Sequence, residues 1–543
     1  MFLGGILVKV LIADTLPRDV YVPLFQEAGI EYLDEVPKSN LEKVIADCEG
    51  LVVRSATKVT AELLANAPKL KIIGRAGTGY DNIDLNAATL RGIVVENTPD
   101  ANSNSATEYT MGLIYALAKN ISAADASLKS GKWEKSRYSG TELHGKRLGI
   151  IGLGRIGQLV AKLAMGNGME VVFYDPYVSE ENARKFGYTS LTFDELLRTS
   201  DYVTLHAVLT EETKGMIGTR QLSLMKPSAR LINAARGELV DEDVLYDAIK
   251  SGKLAGAGID VFEKEPYKGK LLELGDKIVV TPHLAASTEE AQTRVAEAIV
   301  NQMILYFKDD TLINAVNTSP FPPELRPYLD LVERMGYFAG WLLQDPITNI
   351  KVTCYGEITQ MDIRGIDSAS LVGLLSRYVD SINIVNAPQI AKQRGIIFSK
   401  EASEKQIDYR SMVSLEVLAE GQKKPITISG ILFGRRRPRV IELNGYEIEF
   451  EPTGNLLLTS HVDVPKVLAY ITTTLGENDI NIATSHLSRK TQGGSAMAVF
   501  SLDSPVPYKV IKELANPERG ISDVRQILYG VKVLIHERLP PRS

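Results

Sequence analysis

From Val8 to about Ile313, short apolar runs alternate with stretches that have helical spacing. The runs are Val10–Ala13, Gly50–Val53, Lys71–Ile73, Val94–Glu96, Arg147–Ile151, Glu170–Tyr174, Tyr202–Leu205, Arg230–Asn233, Gly256–Asp260 and Lys277–Thr281. Such alternation predicts parallel sheets built from βαβ units. That many strands is a lot for one open sheet, so two sheets are expected. A break follows: Asn314–Pro327 carries Pro320, Pro322, Pro323 and Pro327 and reads as a linker, because proline disfavours helix interior and central strand alike. Residues from about 328 to 450 show a long helix-like stretch, Tyr328–Leu343, and alternating strands that include Met412–Leu418 and Ile426–Phe433, an α+β pattern. The last segment, about Gly454 to Glu537, reads β-α-β-β-α-β, with strands at Leu456–His461, Ile480–His486, Ala496–Leu502 and Val524–Leu528 and helices at Pro465–Leu475 and Val506–Ala515. That order is the ferredoxin-like split βαβ arrangement.

A length of 543 residues exceeds one core and suggests three or four domains. Hydrophobic residues at 44% and charged residues at 24% are ordinary for a globular protein. The net charge of −6 is small, and the basic triplet Arg435-Arg436-Arg437 reads as a solvated turn. Duplex binding needs a distributed basic face, so no nucleic-acid partner is expected. The two cysteines, Cys48 and Cys354, lie far apart in sequence. That spacing argues against a disulfide framework or a bound metal and fits a reducing cytosol. The N-terminal Met1–Leu7 lacks a basic region and a cleavage site, and no window is apolar enough to span a membrane. A cytoplasmic location without membrane contact is the expectation.

The strongest local motif is Gly152-Leu153-Gly154-Arg155-Ile156-Gly157, which follows the strand Lys146–Ile151 and opens a helix at Gln158–Met165. The glycines permit a tight turn and close approach of backbone to a pyrophosphate, and the helix N-terminus offers N–H groups to the phosphates. The next strand ends at Asp175, placed to accept hydrogen bonds from the adenosine ribose. An acid there repels a 2′-phosphate, so NAD is expected over NADP, and Arg184 and Lys185 lie too far along to reverse this.

Six histidines are present, and His283 stands out among them by its neighbourhood. It follows the strand that ends in Val279-Val280-Thr281-Pro282. Gly258-Ile259-Asp260-Val261-Phe262-Glu263-Lys264-Glu265-Pro266 ends a second strand with acids, and Leu231-Ile232-Asn233-Ala234-Ala235-Arg236-Gly237 ends a third with an arginine. Oxidising a 2-hydroxy acid by hydride transfer needs those three types together. A base takes the hydroxyl proton, an acid orients the base, and an arginine grips the carboxylate with its planar fork.

These segments together resemble the D-2-hydroxy-acid dehydrogenase family. The resemblance implies that Arg236, Glu265 and His283 are catalytic. It also implies that Thr78, Gly152, Gly154, Arg155, Ile156, Gly157, Asp175, His206, Ala234, Ala235, Asp260, Ala285 and Ala286 surround NAD, with Asp260 near the nicotinamide carboxamide. The implied fold is α/β, a Rossmann-type NAD domain (104–289) inserted in a flavodoxin-like substrate domain (8–103 and 290–320). An α+β intervening domain (325–450) and a ferredoxin-like ACT domain (455–531) follow. The helix Asn104–Lys119 would cross between the first two domains.

Val53–Thr60, Gly74–Asp84 and Asn97-Thr98-Pro99 resemble the branch of the family that oxidises 3-phosphoglycerate to 3-phosphonooxypyruvate, the entry to serine biosynthesis. A phosphorylated substrate needs further cations, for which Arg54 and Arg75 are the candidates. Gly77-Thr78-Gly79 offers backbone N–H groups, and Asn102 lines the same cleft. Gly131–Lys135 resembles the family's dimer-contact segment, with Lys135 reaching a neighbouring cleft in a homotetramer. In the ACT segment, His461, Asp463 and Asn481 match positions that clamp an L-serine effector; the family usually has glycine where this chain has Lys466. Two alternatives stay open: a glyoxylate or hydroxypyruvate reductase with an added tail, and a non-catalytic NAD-sensing corepressor.

Overall fold

The computed structural model describes residues 8–178, 187–434 and 436–530; Arg184, Lys185 and Arg435 lie outside the described residues. Among these residues the strands form four sheets.

The first sheet comprises β1 (Lys9–Ile12), β2 (Glu31–Leu33), β3 (Gly50–Val53), β4 (Ile72–Arg75) and β5 (Val94–Asn97) in the order 2-1-3-4-5, all parallel. This is the flavodoxin-like order. Successive side chains point to opposite faces and both faces are covered. Val10, Ile12, Val52, Ile72 and Val94 pack under the helix Glu289–Asp309, while Leu11, Leu51, Val53, Ile73 and Val95 form a second buried cluster. The helix arrives from far along the chain, so this layer is completed only after the second sheet has been threaded.

The second sheet contains β6 (Arg147–Ile151), β7 (Glu170–Tyr174), β8 (Thr189–Ser190), β9 (Tyr202–Leu205), β10 (Arg230–Asn233), β11 (Gly256–Ile259) and β12 (Ile278–Val280). Its order, β12-β11-β10-β9-β6-β7-β8, is the doubly wound Rossmann order extended by one strand. The helix Ser103–Lys119 joins the two sheets and packs on the second through Met111, Leu113, Ile114 and Leu117.

The proline-rich segment differs from a free linker. Asn97 N–H donates to Asn314 O, Val316 N–H donates to Val95 O, and Asn317 Oδ1 accepts from Val95 N–H at 2.9 Å. Residues 314–317 therefore line the edge of the first sheet. Pro327 sits in the first turn of the helix Arg326–Leu342, where its missing N–H would have had no partner.

The third sheet, in the order β14-β13-β15-β16-β17-β18, holds β13 (Ile347–Gly356), β14 (Ile397–Ser403), β15 (Ser411–Ala419), β16 (Ile426–Phe433), β17 (Arg437–Leu443) and β18 (Tyr446–Phe450). Arg436 and Arg437 lead from the turn directly into β17. The fourth sheet holds β19 (Asn455–Val462), β20 (Ile482–Arg489), β21 (Ser495–Leu502) and β22 (Ile521–Leu528) in the order β20-β21-β19-β22, all antiparallel. With the helices Val467–Glu477 and Tyr508–Leu514 on one face, it is ferredoxin-like. Its other face is buried at the centre. Leu456, Leu458, Met497, Val499 and Ile527 join the core of the third sheet, beside Leu331, Met335 and Phe338. Among the described residues, no helix is long and apolar enough to cross a membrane.

This shared core makes a prediction. Leu456 belongs to the fourth sheet but is fully buried in the core built around the third. Leu456→Ala should cost about 2–5 kcal/mol, and the loss should appear in the urea midpoint reported by Trp341, half-buried on the helix Arg326–Leu342. An unchanged Trp341 midpoint would show that the fourth sheet folds as an independent unit.

Candidate active site

Parallel strands deliver their next residues to one edge of a sheet, and both parallel sheets do so here. On the second sheet β10, β11 and β12 are neighbours. The loops after them carry Arg236, then Asp260 and Glu265, then His283. On the first sheet Arg54 follows β3, Arg75 ends β4 and Asn97 ends β5. The two edges meet across a cleft bridged by ion pairs: Arg236 Nε lies 2.6 Å from Asp81 Oδ2, and Arg155 Nε lies 2.8 Å from Asp100 Oδ1.

His283 Nδ1 lies 3.1 and 3.0 Å from the two carboxylate oxygens of Glu265, whose Oε1 also accepts from Phe262 N–H at 3.2 Å. That contact fixes the ring and leaves Nε2 directed elsewhere. His283 itself adopts φ +57°, uncommon for a residue with a Cβ. Buried Asp260 holds it there. Its Oδ1 accepts from Thr281 Oγ1 at 2.6 Å and from Leu284 N–H at 2.9 Å, and its Oδ2 accepts from Ala285 N–H at 2.8 Å. His283 N–H donates to Asp260 O at 2.8 Å. Asn233, also buried, does the equivalent for the arginine loop. Its Nδ2 donates to Arg236 O at 2.8 Å and its Oδ1 accepts from Ala235 N–H at 3.1 Å.

Three arginines share the cleft. Arg75 Nη1 donates to Ala76 O at 2.9 Å, but its Nε is buried and has no hydrogen-bond partner among the described residues. Burial, then the nearby Arg236 guanidinium, pushes the Arg75 pKa down to about 10. The Arg54 loop is pinned by Asp14, whose Oδ2 accepts from Arg54 N–H at 2.7 Å and whose Oδ1 accepts from Thr57 Oγ1 at 2.7 Å. Asn82 Nδ2 adds donations to Arg54 O and Thr57 O, both at 2.7 Å. Thr78 Oγ1 donates to Asn102 Oδ1 at 2.7 Å. Gly77 follows Arg75 with φ +140°.

At the glycine-rich loop the helix runs Arg155–Gly166, starting earlier than its sequence signal. Gly152 has φ +92°, and a Cβ there would lie 2.7 Å from the His206 carbonyl. Nothing lies within 4 Å of the corresponding position at Gly154, which leaves room for a ligand at the helix N-terminus. Asp175 accepts from Leu153 N–H at 2.8 Å through Oδ2 and from Tyr177 N–H at 2.9 Å through Oδ1, with acceptor capacity left over. A dinucleotide fits this cradle. His206 Nε2 lies 3.0 Å from Thr204 Oγ1, and burial pushes its pKa down to about 4, so the ring is uncharged near neutrality. Ala234, Ala235, Ala285 and Ala286 lie on the loops flanking Arg236 and His283, and Ile156 and Gly157 in the first turn of the loop helix.

Two groups of sequence-selected residues are not brought together. Lys135 is exposed and makes no hydrogen bond or ion pair among the described residues, whereas nearby Trp133 is 83% exposed. In the fourth sheet, Asp463 follows β19 and its Oδ2 accepts from Arg489 Nη1 at 2.8 Å and from Gly493 N–H at 3.1 Å. Arg489 holds the Asp463 carboxyl below the usual carboxylate range. Asn481 precedes β20 at the opposite end of the sheet and donates to Asp503 Oδ2 at 2.6 Å. Eight strand residues separate the two levels, roughly 25 Å. His461 is buried beside Thr459, and burial lowers its pKa. Lys466 keeps a glycine-like φ of +79°.

Comparison with known proteins fixes the class. Residues 111–285 match the model of the D-isomer specific 2-hydroxyacid dehydrogenase NAD binding domain, and residues 324–444 match the D-3-phosphoglycerate dehydrogenase intervening domain. D-lactate dehydrogenase from Aquifex aeolicus, solved with NAD and lactic acid, is 34% identical with a TM-score of 0.50, over 55% of this chain and 96% of that one. The fold and cleft are those of an NAD-dependent 2-hydroxyacid dehydrogenase. The similarity to full-length proteins goes further. D-3-phosphoglycerate dehydrogenase of Methanocaldococcus jannaschii is 41% identical over 515 residues, 94% of this chain and 97% of that protein. The Bacillus subtilis enzyme of the same name is 38% identical over 513 residues, 94% and 97% of the two chains. The chain belongs to the D-3-phosphoglycerate dehydrogenase family.

Asp14, Asn82 and Asn233 organise the cleft loops, and sequence reasoning gave them no part. Asn82 and Asn233 lie inside the quoted stretches Gly74–Asp84 and Leu231–Gly237, and Asp14 is an acid directly after an apolar strand. Asp260 carries a testable consequence. Asp260→Asn places an amide donor against backbone donors, at about 1–3 kcal/mol. The amides of Thr281 and of His283 to Ala286 should lose hydrogen-exchange protection and kcat should fall, with NAD affinity changing much less. Unaltered protection would remove Asp260 from the role of loop clamp.

Proposed function

We propose that the protein oxidises 3-phosphoglycerate to 3-phosphonooxypyruvate in the cytoplasm, opening serine biosynthesis, with L-serine as effector. The observation that carries the substrate reading is Arg75. A guanidinium whose Nε is buried without a partner, beside Arg54 and Arg236, is a cation waiting for an anion. Arg236 takes the substrate carboxylate with its fork, and Arg75 and Arg54 take the phosphate. A glyoxylate or hydroxypyruvate reductase has no second anion to offer that cluster. The ordered His283–Glu265 pair goes beyond what a corepressor that only senses NAD requires.

Bound at the Gly152–Gly157 loop, with its ribose on Asp175, NAD supplies the hydride acceptor. His283 Nε2 takes the proton of the substrate hydroxyl as the hydride leaves the same carbon, and Glu265 on Nδ1 stabilises the imidazolium that forms. His206, neutral near pH 7, packs by the glycine loop and takes no proton. His283→Ala should lower kcat by a factor of order 10²–10⁴ with NAD affinity kept. Arg75→Ala should raise KM for 3-phosphoglycerate by about 10²-fold and leave slow turnover of D-lactate unchanged. Equal losses on both substrates would assign Arg75 a structural part and return the reductase reading.

The homotetramer and the serine site belong to the same proposal. Exposed Trp133 beside Lys135 supplies a contact surface for a second copy. Asp463 and Asn481 stand at opposite ends of one sheet, so they can clamp one amino acid only if Asn481 comes from a second copy. The serine ammonium then takes the place of Arg489 on Asp463. Lys466 holds a backbone conformation that costs a side-chain-bearing residue about 1–2 kcal/mol. Lys466→Gly should therefore raise stability and tighten serine binding in calorimetry, while Asn481→Ala should abolish the heat. No heat at millimolar serine from either the unaltered protein or Lys466→Gly would rule the site out.

A further inference from the structure

Arg236 stands on the loop after β10, but its guanidinium belongs to the opposite side of the cleft. Nε donates to Asp81 Oδ2 at 2.6 Å, and Nη1 donates to Ala235 O at 2.6 Å. Nη2 sits so close over Gly79 that a Cβ there would lie 1.3 Å away. Nη2 has no hydrogen-bond partner among the described residues. A guanidinium can present a carboxylate with either its Nε–Nη side or its Nη1–Nη2 end. Asp81 occupies the first, so only the second remains.

We propose that Asp81 is a positioning residue: it crosses the cleft to set Arg236 end-on to the substrate carboxylate, and it balances charge in a pocket that holds three arginines. The assignment rests on the reading of Arg236 as the carboxylate ligand. Two consequences separate it from ordinary surface pairing. First, Asp81 and Arg236 lie on loops of different sheets, so the pair reports how far the cleft is closed. Second, Asp81 acts on Arg236 through direct contact and on Arg75 through the field alone. Its loss disorients a carboxylate site while leaving the cluster more positive. Carboxylate and phosphate ligands must then respond in opposite senses.

The test uses the full-length enzyme with Asp81→Asn, Asp81→Glu and Arg236→Lys. The readouts are steady-state turnover of 3-phosphoglycerate with NAD and competitive inhibition by oxalate and by inorganic phosphate. Asp81→Asn should raise KM about tenfold, with a smaller change in kcat. Oxalate should inhibit it less well and inorganic phosphate better than they inhibit the unaltered enzyme. Asp81→Glu should recover part of the oxalate affinity. A KM within about twofold of the original overturns the proposal. So does a parallel change in the oxalate and phosphate constants, the mark of a general loosening. Arg236→Lys separates the two layers. If it leaves KM unchanged, the carboxylate reading of Arg236 fails. If it raises KM while Asp81→Asn is silent, only the role of Asp81 fails.

Discussion

The chemistry of the cleft depends on one buried carboxylate. Asp260 is fully enclosed, and an unpaired charge there would cost several kcal/mol. Donors on Thr281, Leu284 and Ala285 offset that cost, each contact to a charged acceptor contributing about 1.5–3 kcal/mol. The same contacts bend the loop so that His283 lies at φ +57°, a conformation costing about 1–2 kcal/mol. The hydrogen bonds exceed the strain. The imidazole therefore faces Glu265 with a fixed ring, before any ligand enters. Asp260 stands first after β11 and His283 shortly after β12, so the parallel pairing of those strands sets the distance the clamp must close.

The substrate side of the cleft is organised by the opposite electrostatic problem, an excess of positive charge. Arg54, Arg75 and Arg236 approach one another, and each costs the others stability in proportion to its desolvation. Asp14 pins the backbone of the Arg54 loop without contacting its guanidinium, and Asp81 contacts Arg236. Both acids act on Arg75 through the field but neither contacts it, and its buried Nε has no partner among the described residues. Under the proposed reading a phosphate supplies what the protein leaves out, and selectivity for a substrate with two anionic groups follows from what is unpaired as much as from what is present.

Both parallel sheets were legible in the sequence because their strands are buried on two faces, which writes them as unbroken apolar runs bounded by turns. The short edge strands Glu31–Leu33 and Thr189–Ser190 carry no such run. The helix Ile366–Leu375 is buried all round, so it lacks the polar stripe that helical periodicity needs. The last helices begin later than proposed. Lys466, with positive φ, delays the first to Val467, and Pro507 caps the second at Tyr508. In the cleft, His283, Glu265, Asp260 and Arg236 were legible because they fall in the three motifs that follow neighbouring strands. Asp14 and Asn82 were not, since their contacts span 25 or more sequence positions. Asp463 and Asn481 sit in neighbouring motifs, yet strand direction sends them to opposite ends of one sheet.

The last two sheets share a core, and that restricts how any signal could pass between them and the cleft. The fourth sheet buries Leu456, Leu458, Val499 and Ile527 against the helix Arg326–Leu342. Tyr337 OH donates to Leu528 O at 2.6 Å, and Tyr529 OH donates to Arg334 O at 2.9 Å. The hairpin after β20 is tied to the third sheet as well, through Lys490 Nζ to Asn444 O at 2.9 Å and Tyr446 OH to Ser495 Oγ at 2.7 Å. Sliding one sheet on the other would open apolar surface, at about 25 cal/mol for each Å² exposed. Contact with the first sheet is both polar and apolar: Asn383 Nδ2 donates to Gly92 O at 2.8 Å, Gln389 hydrogen-bonds to Asn86, and Val385 is buried in the core of the first sheet. The third and fourth sheets therefore share one continuous core, and the segment Asn383–Gln389 joins that body to the first sheet beside Gly92 and Asn86.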